Sequence, residues 1–93
     1  MGSYRNFETE TFQESLARIS RSGLRGIEQK LREHVYPQLR LEPHFGSNIK
    51  RLKQWEPPTW RYRIGAWRFF YEIDEKKNIV YMTAADHRSQ AYR

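Results

Sequence analysis

An alternation of aromatic and basic residues near residue 60 constrains the fold more than any other feature of the sequence. In the segment 60–64, WRYRI, the large residues Trp60, Tyr62 and Ile64 occupy every second position, and arginines stand between them. Successive side chains of a β-strand point to opposite faces of a sheet. The segment is therefore predicted to form a strand with an aromatic core face and a cationic outer face.

A two-residue connection follows this strand and predicts a β-hairpin. Gly65 precedes Ala66, and glycine at the first position suits a type II′ turn, where a positive φ is required. The segment 67–73 alternates again and is predicted to be the returning strand. After a charged loop over 74–78, the segment 79–85 is apolar on both faces, which predicts a strand in the interior of the sheet.

The first half of the chain shows helical periodicity instead. A short alternating segment, 4–8, predicts a first strand, and Thr11 stands three residues before Glu14, the spacing of a capping box at a helix start. A second amphipathic stretch follows, and Pro37 is predicted to end it. Helices on one side of an antiparallel meander form an α+β architecture, here in a single domain over residues 1–93.

Charge is concentrated in the second half of the chain. The net charge is +6, and residues 1–48 contribute +1 whereas residues 49–93 contribute +5. Such a balance favours a polyanionic partner, or an acidic protein that covers the basic surface. A chain of 93 residues buries a modest core, so an open working surface is more expected than an enclosed substrate cavity.

Several classes of site and location are disfavoured by the composition. The chain has no cysteine, which excludes disulfides and thiolate metal sites. The spacing of its three histidines and the nearby carboxylates matches no familiar metal site, so neither a metal nor a cofactor is predicted. No segment has the apolar run of a signal peptide or of a membrane span, and the sequence predicts a soluble, cytoplasmic protein without membrane contact.

The C-terminal half resembles the RelE/ParE toxin superfamily. Family members carry a lysine-rich lead-in, a run YRYRIG, an aromatic–Arg pair, YEID and a closing HR…Y element. In this chain the corresponding segments are 50–53 (KRLK), 60–74 (WRYRIGAWRFFYEID) and 86–93 (DHRSQAYR). The resemblance implies an N-terminal strand and two helices packed on a curved antiparallel β-sheet. It also implies the toxin of a bacterial type II toxin–antitoxin system, which in the RelE branch is a ribosome-dependent mRNA endoribonuclease, or mRNA interferase.

Carried over position by position, the resemblance assigns functional residues. The paired basic residues of the family fall on Arg61 and Arg63, and the arginine of the next strand falls on Arg68. The closing element supplies Arg88 and Tyr92. Further RNA or phosphate contacts are expected from the lead-in residues Lys50, Arg51 and Lys53.

Metal-independent RNA cleavage uses the 2′-hydroxyl as an internal nucleophile, and arginines can neutralise the charge that develops on the phosphate. Arg61 and Arg68 are therefore predicted as phosphate clamps, although the same alternation also suits an ordinary half-buried strand with a solvated face. RelE-branch toxins commonly carry lysine where this chain has Arg61 and Arg63, and arginine effectively cannot give up a proton. His87 is the candidate base and Tyr92 an orienting or acid group, while a lone histidine beside an arginine is more often structural.

Two alternatives stay open at this point. The fold and the missing lysines also suit a ParE-like inhibitor of DNA gyrase without catalytic residues of its own, and a third interpretation is an RNA-binding module or inactive relative. The expected partners are a cognate antitoxin, acidic and partly disordered, mRNA on the ribosome, and operator DNA through the antitoxin. Most aromatic residues are assigned to the core. Trp55, in the proline-rich connection, is the aromatic residue most expected to be exposed, and packing against the sheet edge is the alternative that is favoured for it.

Overall fold

The computed structural model describes residues 3–21 and 26–88, which form one five-stranded sheet covered on one face by helices. The strands are β1 (Arg5–Glu8), β2 (Ile49–Arg51), β3 (Trp60–Ile64), β4 (Trp67–Asp74) and β5 (Ile79–His87), in the spatial order β1-β5-β4-β3-β2. Helix α1 spans Glu10–Arg21. A second helical segment is α-helical over Ile27–Lys30 (α2), π-helical over Leu31–Val35 and α-helical again over Tyr36–Leu41 (α3). The predicted α+β class is confirmed.

The sheet is mixed rather than wholly antiparallel. Strands β2 to β5 pair antiparallel with their neighbours, whereas β1 pairs with β5 in parallel. The expectation of an antiparallel sheet therefore needs correction at β1. Tight turns force the hairpin strands to run antiparallel. No such turn joins β1 to β5, and the direction of β1 follows from how the helices after it pack on the sheet.

The hairpin between β3 and β4 is confirmed. Ile64 pairs with Trp67 across a two-residue turn, and Gly65 has a φ of +58°. Ala66 keeps a negative φ, which completes the sign pattern of a type II′ turn. This turn sets the register in which the arginines of the two strands face each other.

A β-bulge in β5 explains why this strand is apolar on both faces. Phe70 pairs with Ala84 but Tyr71 pairs with Met82, so Thr83 is the extra residue. Val80 and Met82 face the helices before the bulge, and Ala85 faces them after it. β5 lies between β1 and β4, as predicted for an interior strand, and it extends to His87.

Two predicted helix boundaries are wrong. Helix α1 begins at Glu10, and its capping residue is Thr9, whose Oγ1 accepts a hydrogen bond from the Phe12 N–H at 3.2 Å. The Thr9 hydroxyl also donates to the Met82 carbonyl at 2.7 Å, so a tertiary contact with β5 selects Thr9 over Thr11. Pro37 does not end the second helical segment, which runs on to Leu41, and it stands just after the π-helical turn Leu31–Val35.

The helices cover one face of the sheet and leave the other open. The core comprises apolar residues of the helices packed on those of β4 and β5, among them Phe12, Leu31, Val35, Leu39, Phe69, Tyr71, Val80 and Met82, all nearly inaccessible to solvent. None of the helices in the described residues is both long and apolar enough to cross a bilayer. The open face carries the side chains that alternate with these core residues along the strands, including Arg61, Arg63 and Arg68.

Candidate functional site

Four arginines converge at the hairpin end of the open sheet face. Arg61 and Arg63 alternate along β3, Arg68 lies directly opposite Arg63 on β4, and Arg88 follows β5. Together with the turn they line one shallow cleft, formed by Arg61, Arg63, Gly65, Ala66, Arg68 and Arg88. The Arg88 N–H donates to the Ala66 carbonyl at 2.8 Å, which holds the end of β5 against the turn. We call this the arginine cleft.

One carboxylate belongs to this cluster, and sequence reasoning did not identify it. Asp86 pairs with Arg68 in the β4–β5 register, and its Oδ2 lies 2.5 Å from the Arg68 Nη2. Among the described residues, no ion pair is formed by Arg61, Arg63 or Arg88. The alignment of Asp86 with Arg68 depends on the bulge at Thr83, which the alternation of the sequence does not reveal.

Two of the guanidinium groups carry buried donors that are not satisfied within the protein. The Nε atoms of Arg61 and Arg68 are shielded from solvent and have no hydrogen-bond partner among the described residues. A buried donor left unpaired costs about 1–3 kcal/mol. The guanidinium groups that carry these donors match the geometry of an anion with several oxygen acceptors, such as a phosphodiester.

Lys50 extends the cationic surface toward β2. It pairs with Arg61 in the β2–β3 register and, with Ser47, Asn48, Ile49, Arg61, Arg63 and Gly65, lines a second cleft that adjoins the first. The Asn48 Nδ2 donates to the Arg63 carbonyl at 2.7 Å, and the Arg63 N–H donates to the Asn48 carbonyl at 2.9 Å. These two bonds hold the lead-in segment beside β3.

The other predicted phosphate contacts lie elsewhere. Arg51 pairs with Trp60, and its guanidinium carbon lies 5.4 Å from the centre of the indole ring. Trp60 in turn stacks on the buried Tyr71, so Arg51 projects from the helix-covered face. Lys53 is exposed in the loop after β2. The structure brings Lys50 to the arginine cleft but not these two residues.

The predicted base is also on the other side of the sheet. His87 pairs with Trp67, and the two rings meet edge to face with centroids 4.8 Å apart. Trp67 is buried toward the helices, whereas Arg68 and Asp86 face the open side. His87 is thus not part of the described lining of the arginine cleft, and its placement does not support the catalytic role predicted for it. Tyr92 lies outside the described residues.

A second polar cluster occupies the opposite end of the sheet. His44, in the loop after α3, receives hydrogen-bond partners on both ring nitrogens: Glu42 Oε2 lies 2.9 Å from Nδ1 and Glu75 Oε2 lies 2.6 Å from Nε2. The Tyr4 hydroxyl donates to Glu75 Oε1 at 3.0 Å. We call these four residues the His44 cluster. No group of histidine and carboxylate side chains suited to a metal ion occurs in the described part of the chain.

The His44 cluster has perturbed proton affinities. Burial alone would lower the pKa of His44, but hydrogen bonds with Glu75 and Glu42 together outweigh it and raise the pKa. The hydrogen bonds from the His44 backbone and side chain lower the pKa of Glu42, and the bond from the His44 side chain lowers the pKa of Glu75. The cluster therefore favours the charged form of the histidine and of both carboxylates.

Comparisons with known proteins agree with this fold. Residues 9–92 match the family model of the ParE toxin of the type II toxin–antitoxin system parDE. Among solved structures, the toxin–antitoxin complex RelBE2 from Mycobacterium tuberculosis contains a chain with 26% identity and a TM-score of 0.76, over 96% of this chain and 95% of that one.

More distant structures share the fold alone. The archaeal RelE–RelB complex from Pyrococcus horikoshii OT3 matches with 16% identity and a TM-score of 0.69, over 95% of this chain and 98% of that chain. A metal-bound toxin from Helicobacter pylori matches with 14% identity and a TM-score of 0.67, over 94% and 97%. No curated protein sequence matches the chain. Because the family model spans nearly all of the 93 residues, this chain belongs to the ParE toxin family, within the RelE/ParE superfamily of type II toxin–antitoxin toxins.

Proposed function

We propose that this toxin is an endoribonuclease that cleaves mRNA on the ribosome and binds the scissile phosphate in the arginine cleft. The observation that carries the proposal is the convergence of four arginines, two of them with buried Nε donors that lack partners among the described residues. The sheet holds these side chains at the cleft before a substrate arrives. Preorganised donors of this kind stabilise developing charge far better than groups in water.

The reaction follows from the chemistry of RNA. The 2′-hydroxyl attacks the adjacent phosphorus, the phosphate gains negative charge in the transition state, and the 5′-oxygen of the next nucleotide leaves. Arg61 and Arg68 contact the phosphate oxygens from neighbouring strands, and Arg63 and Arg88 stand on either side. Asp86 holds the Arg68 guanidinium in position through its 2.5 Å contact. Each such donor contributes on the order of 10²–10³ in rate.

Proton transfer needs a group other than arginine, and we assign it to Lys50, whose neutral amine accepts the 2′-hydroxyl proton while the leaving 5′-oxygen takes a proton from the resulting ammonium or from water. Lys50 lies directly opposite Arg61 and lines the adjoining cleft, whereas His87 lies on the other face of the sheet. A lysine gives up a proton far more readily than an arginine does. Lys50→Arg preserves the charge but not the proton transfer, so we expect it to retain RNA affinity and to lose cleavage by at least about tenfold. Equal cleavage by the variant across a pH series would contradict the assignment.

A cognate antitoxin is the partner that this proposal requires. The M. tuberculosis and P. horikoshii neighbours were solved as complexes of this kind. A basic surface with net charge +6 suits an acidic, partly disordered antitoxin, which would keep the toxin inactive by mass action in the cytoplasm and link it to operator DNA. Co-expression of the neighbouring gene is expected to yield a heteromeric complex, and recovery of free toxin alone would count against it.

Inhibition of DNA gyrase is the second candidate. It is favoured by the match to the ParE toxin model and by the described lining of the arginine cleft, which holds no residue able to exchange protons readily. In this case the arginines would contact the nucleic acid or acidic side chains of a protein target without catalysing a reaction.

Two assays on the same protein separate the candidates. Induced expression followed by primer extension is expected to reveal new 5′ ends within translated messages, and Arg61→Ala should remove them. Growth arrest with an intact message pool would exclude the ribonuclease. A gyrase supercoiling assay with purified toxin is expected to show no inhibition, and inhibition there would favour the second candidate. An RNA-binding but inactive relative would give neither result.

A further inference from the structure

The indole of Trp55 lies in an unexpected place. Its side chain comes from the loop between β2 and β3 and stacks nearly parallel on Phe70, with ring centroids 6.3 Å apart and an interplanar angle of 10°. Phe70 belongs to the open face of the sheet and lies directly opposite Arg61. The predicted contact with the sheet edge is thus a contact with the open face, in the row of side chains beside the arginine cleft.

Core packing does not account for this indole. Trp55 is 53% exposed and lies outside the core cluster. The other tryptophans have structural roles: Trp67 is 6% exposed and stacks on Phe69, while Trp60 packs on Tyr71. Phe70 supports one side of the Trp55 ring. The other side of a flat, rigid aromatic ring is therefore left to solvent next to a strongly cationic surface.

The surrounding charge identifies the kind of ligand that would cover this ring. On the open face, Arg61 lies directly opposite Phe70, and Lys50 lies opposite Arg61 on the next strand. Phe70 and Arg68 are two residues apart on the same strand face, so their Cβ atoms are separated by roughly 7 Å. One nucleotide spans this distance between its phosphate and its base.

We propose that Trp55 and Phe70 form a stacking platform for a nucleobase of single-stranded RNA whose phosphate lies in the arginine cleft. This inference rests on the proposed function and adds a base-binding subsite to it. Aromatic platforms beside a cationic groove bind single strands with little sequence preference, because every base has a π face. An antitoxin segment is the competing occupant, and the experiment below distinguishes it.

The test compares two oligonucleotides of equal length, both 2′-O-methylated so that the internal nucleophile is blocked. One carries bases and the other has abasic sugars at all positions. We expect the purified wild-type chain to bind the base-bearing strand more tightly, on the order of tenfold. Trp55→Ala should abolish this preference and leave affinity for the abasic strand unchanged, whereas Trp55→Phe should keep most of it. Arg61→Ala is the matched control and should weaken binding of both strands.

A second readout is tryptophan fluorescence. Because Trp55 is the most exposed of the three indoles, the base-bearing strand should quench wild-type emission, and the abasic strand should not. Equal wild-type affinity for the two strands would overturn the platform while leaving phosphate binding intact. Weaker binding of both strands by Trp55→Ala would also overturn it, because the indole would then act through the fold.

Two further results are informative. If neither oligonucleotide binds, the platform is overturned, whereas the proposed cleavage on the ribosome is judged separately by primer extension. If Trp55→Ala retains the preference for bases but loses affinity for the antitoxin, the indole serves the protein partner and the platform is again overturned.

Discussion

The two ends of the sheet use charge in opposite ways. At the hairpin end, the arginine cleft gathers four cations around one carboxylate, Asp86. At the other end, the His44 cluster places a histidine between Glu42 and Glu75, with Tyr4 donating to the second carboxylate. Charges that satisfy one another stabilise the fold, whereas charges that converge without internal partners are available to a ligand. We therefore propose binding at the hairpin end and expect stabilisation at the other.

The origin of the two groups in the sequence also differs. Arg61, Arg63 and Arg68 lie on one hairpin, so a local alternation and a two-residue turn bring them together. The His44 cluster joins residues that are 31 and 71 positions apart, His44 with Glu75 and Tyr4 with Glu75. Only the folded chain creates it. Four substitutions test the comparison.

Arg61→Ala should have the largest effect. Loss of a preorganised donor is expected to reduce RNA cleavage on the order of 10²–10³-fold, with little change in the free energy of unfolding. Cleavage rates and thermal unfolding measure the two quantities. Arg18→Ala, an exposed change on α1, is the control and should leave both unaltered. A strongly destabilised Arg61→Ala protein would show that this end of the sheet also serves the fold.

Tyr71→Phe tests the stabilising side. The buried Tyr71 hydroxyl donates to the Pro43 carbonyl at 2.7 Å and anchors the loop that carries His44, and burial raises the pKa of this tyrosine, which keeps it a donor. Leaving the carbonyl unpaired should cost about 1–3 kcal/mol in urea unfolding. The half-buried Tyr62–Gln38 bond offers a milder control, Tyr62→Phe. At urea concentrations well below the unfolding transition, the variant should still cleave RNA. Loss of cleavage there would show that the two ends of the sheet depend on each other.

Arg63→Ala should change the salt dependence of RNA binding. Removing one phosphate contact lowers the slope of log affinity against log salt by about 0.7 for a single strand, with a loss of a few-fold in affinity. Lys76→Ala removes the same charge from the turn beside the His44 cluster and should leave the slope unchanged. Equal effects of the two variants would mean that net charge, rather than the arginine cleft, governs binding.

His44→Gln should have the smallest effect, and its sign depends on pH. The folded-state pKa of His44 is raised, so its stabilising contribution is complete below the unfolded value of about 6.5 and disappears as pH rises through the folded value. Wild type should therefore exceed the variant in stability at pH 6 by up to about 1 kcal/mol and converge with it at pH 9. Urea unfolding at several pH values measures this, with exposed His34→Gln as control. A gap that widens toward pH 9 would refute it.

Glu42 and Glu75 determine how the stability conferred by the His44 cluster changes at low pH. The pKa values of Glu42 and Glu75 are lowered in the fold, so their contribution is present above their ordinary pKa and is lost as pH falls through the folded values. The wild-type advantage over His44→Gln should consequently shrink again below about pH 4.5.

The hairpin and its arginines were predictable because the signal is local. Alternation from Trp60 to Ile64, the glycine at position 65 and the returning strand together determine which side chains share a face. The resemblance to RelE/ParE toxins added the positions expected to carry the function, and the family match confirms the superfamily. The apolar pattern of residues 79–85 also predicted an interior strand, and β5 does lie between β1 and β4, although the helices cover only one of its faces.

Tertiary structure decided the rest, because register and strand direction depend on contacts between distant segments. The extra residue at Thr83 shifts the phase of β5, which directs Asp86 and Arg88 to the arginine cleft and His87 to the far face. The same long-range packing aligned β1 parallel to β5 and brought Lys50 opposite Arg61. Periodicity states which residues alternate. Only the packed sheet determines which of these side chains face the helices and which face the open side.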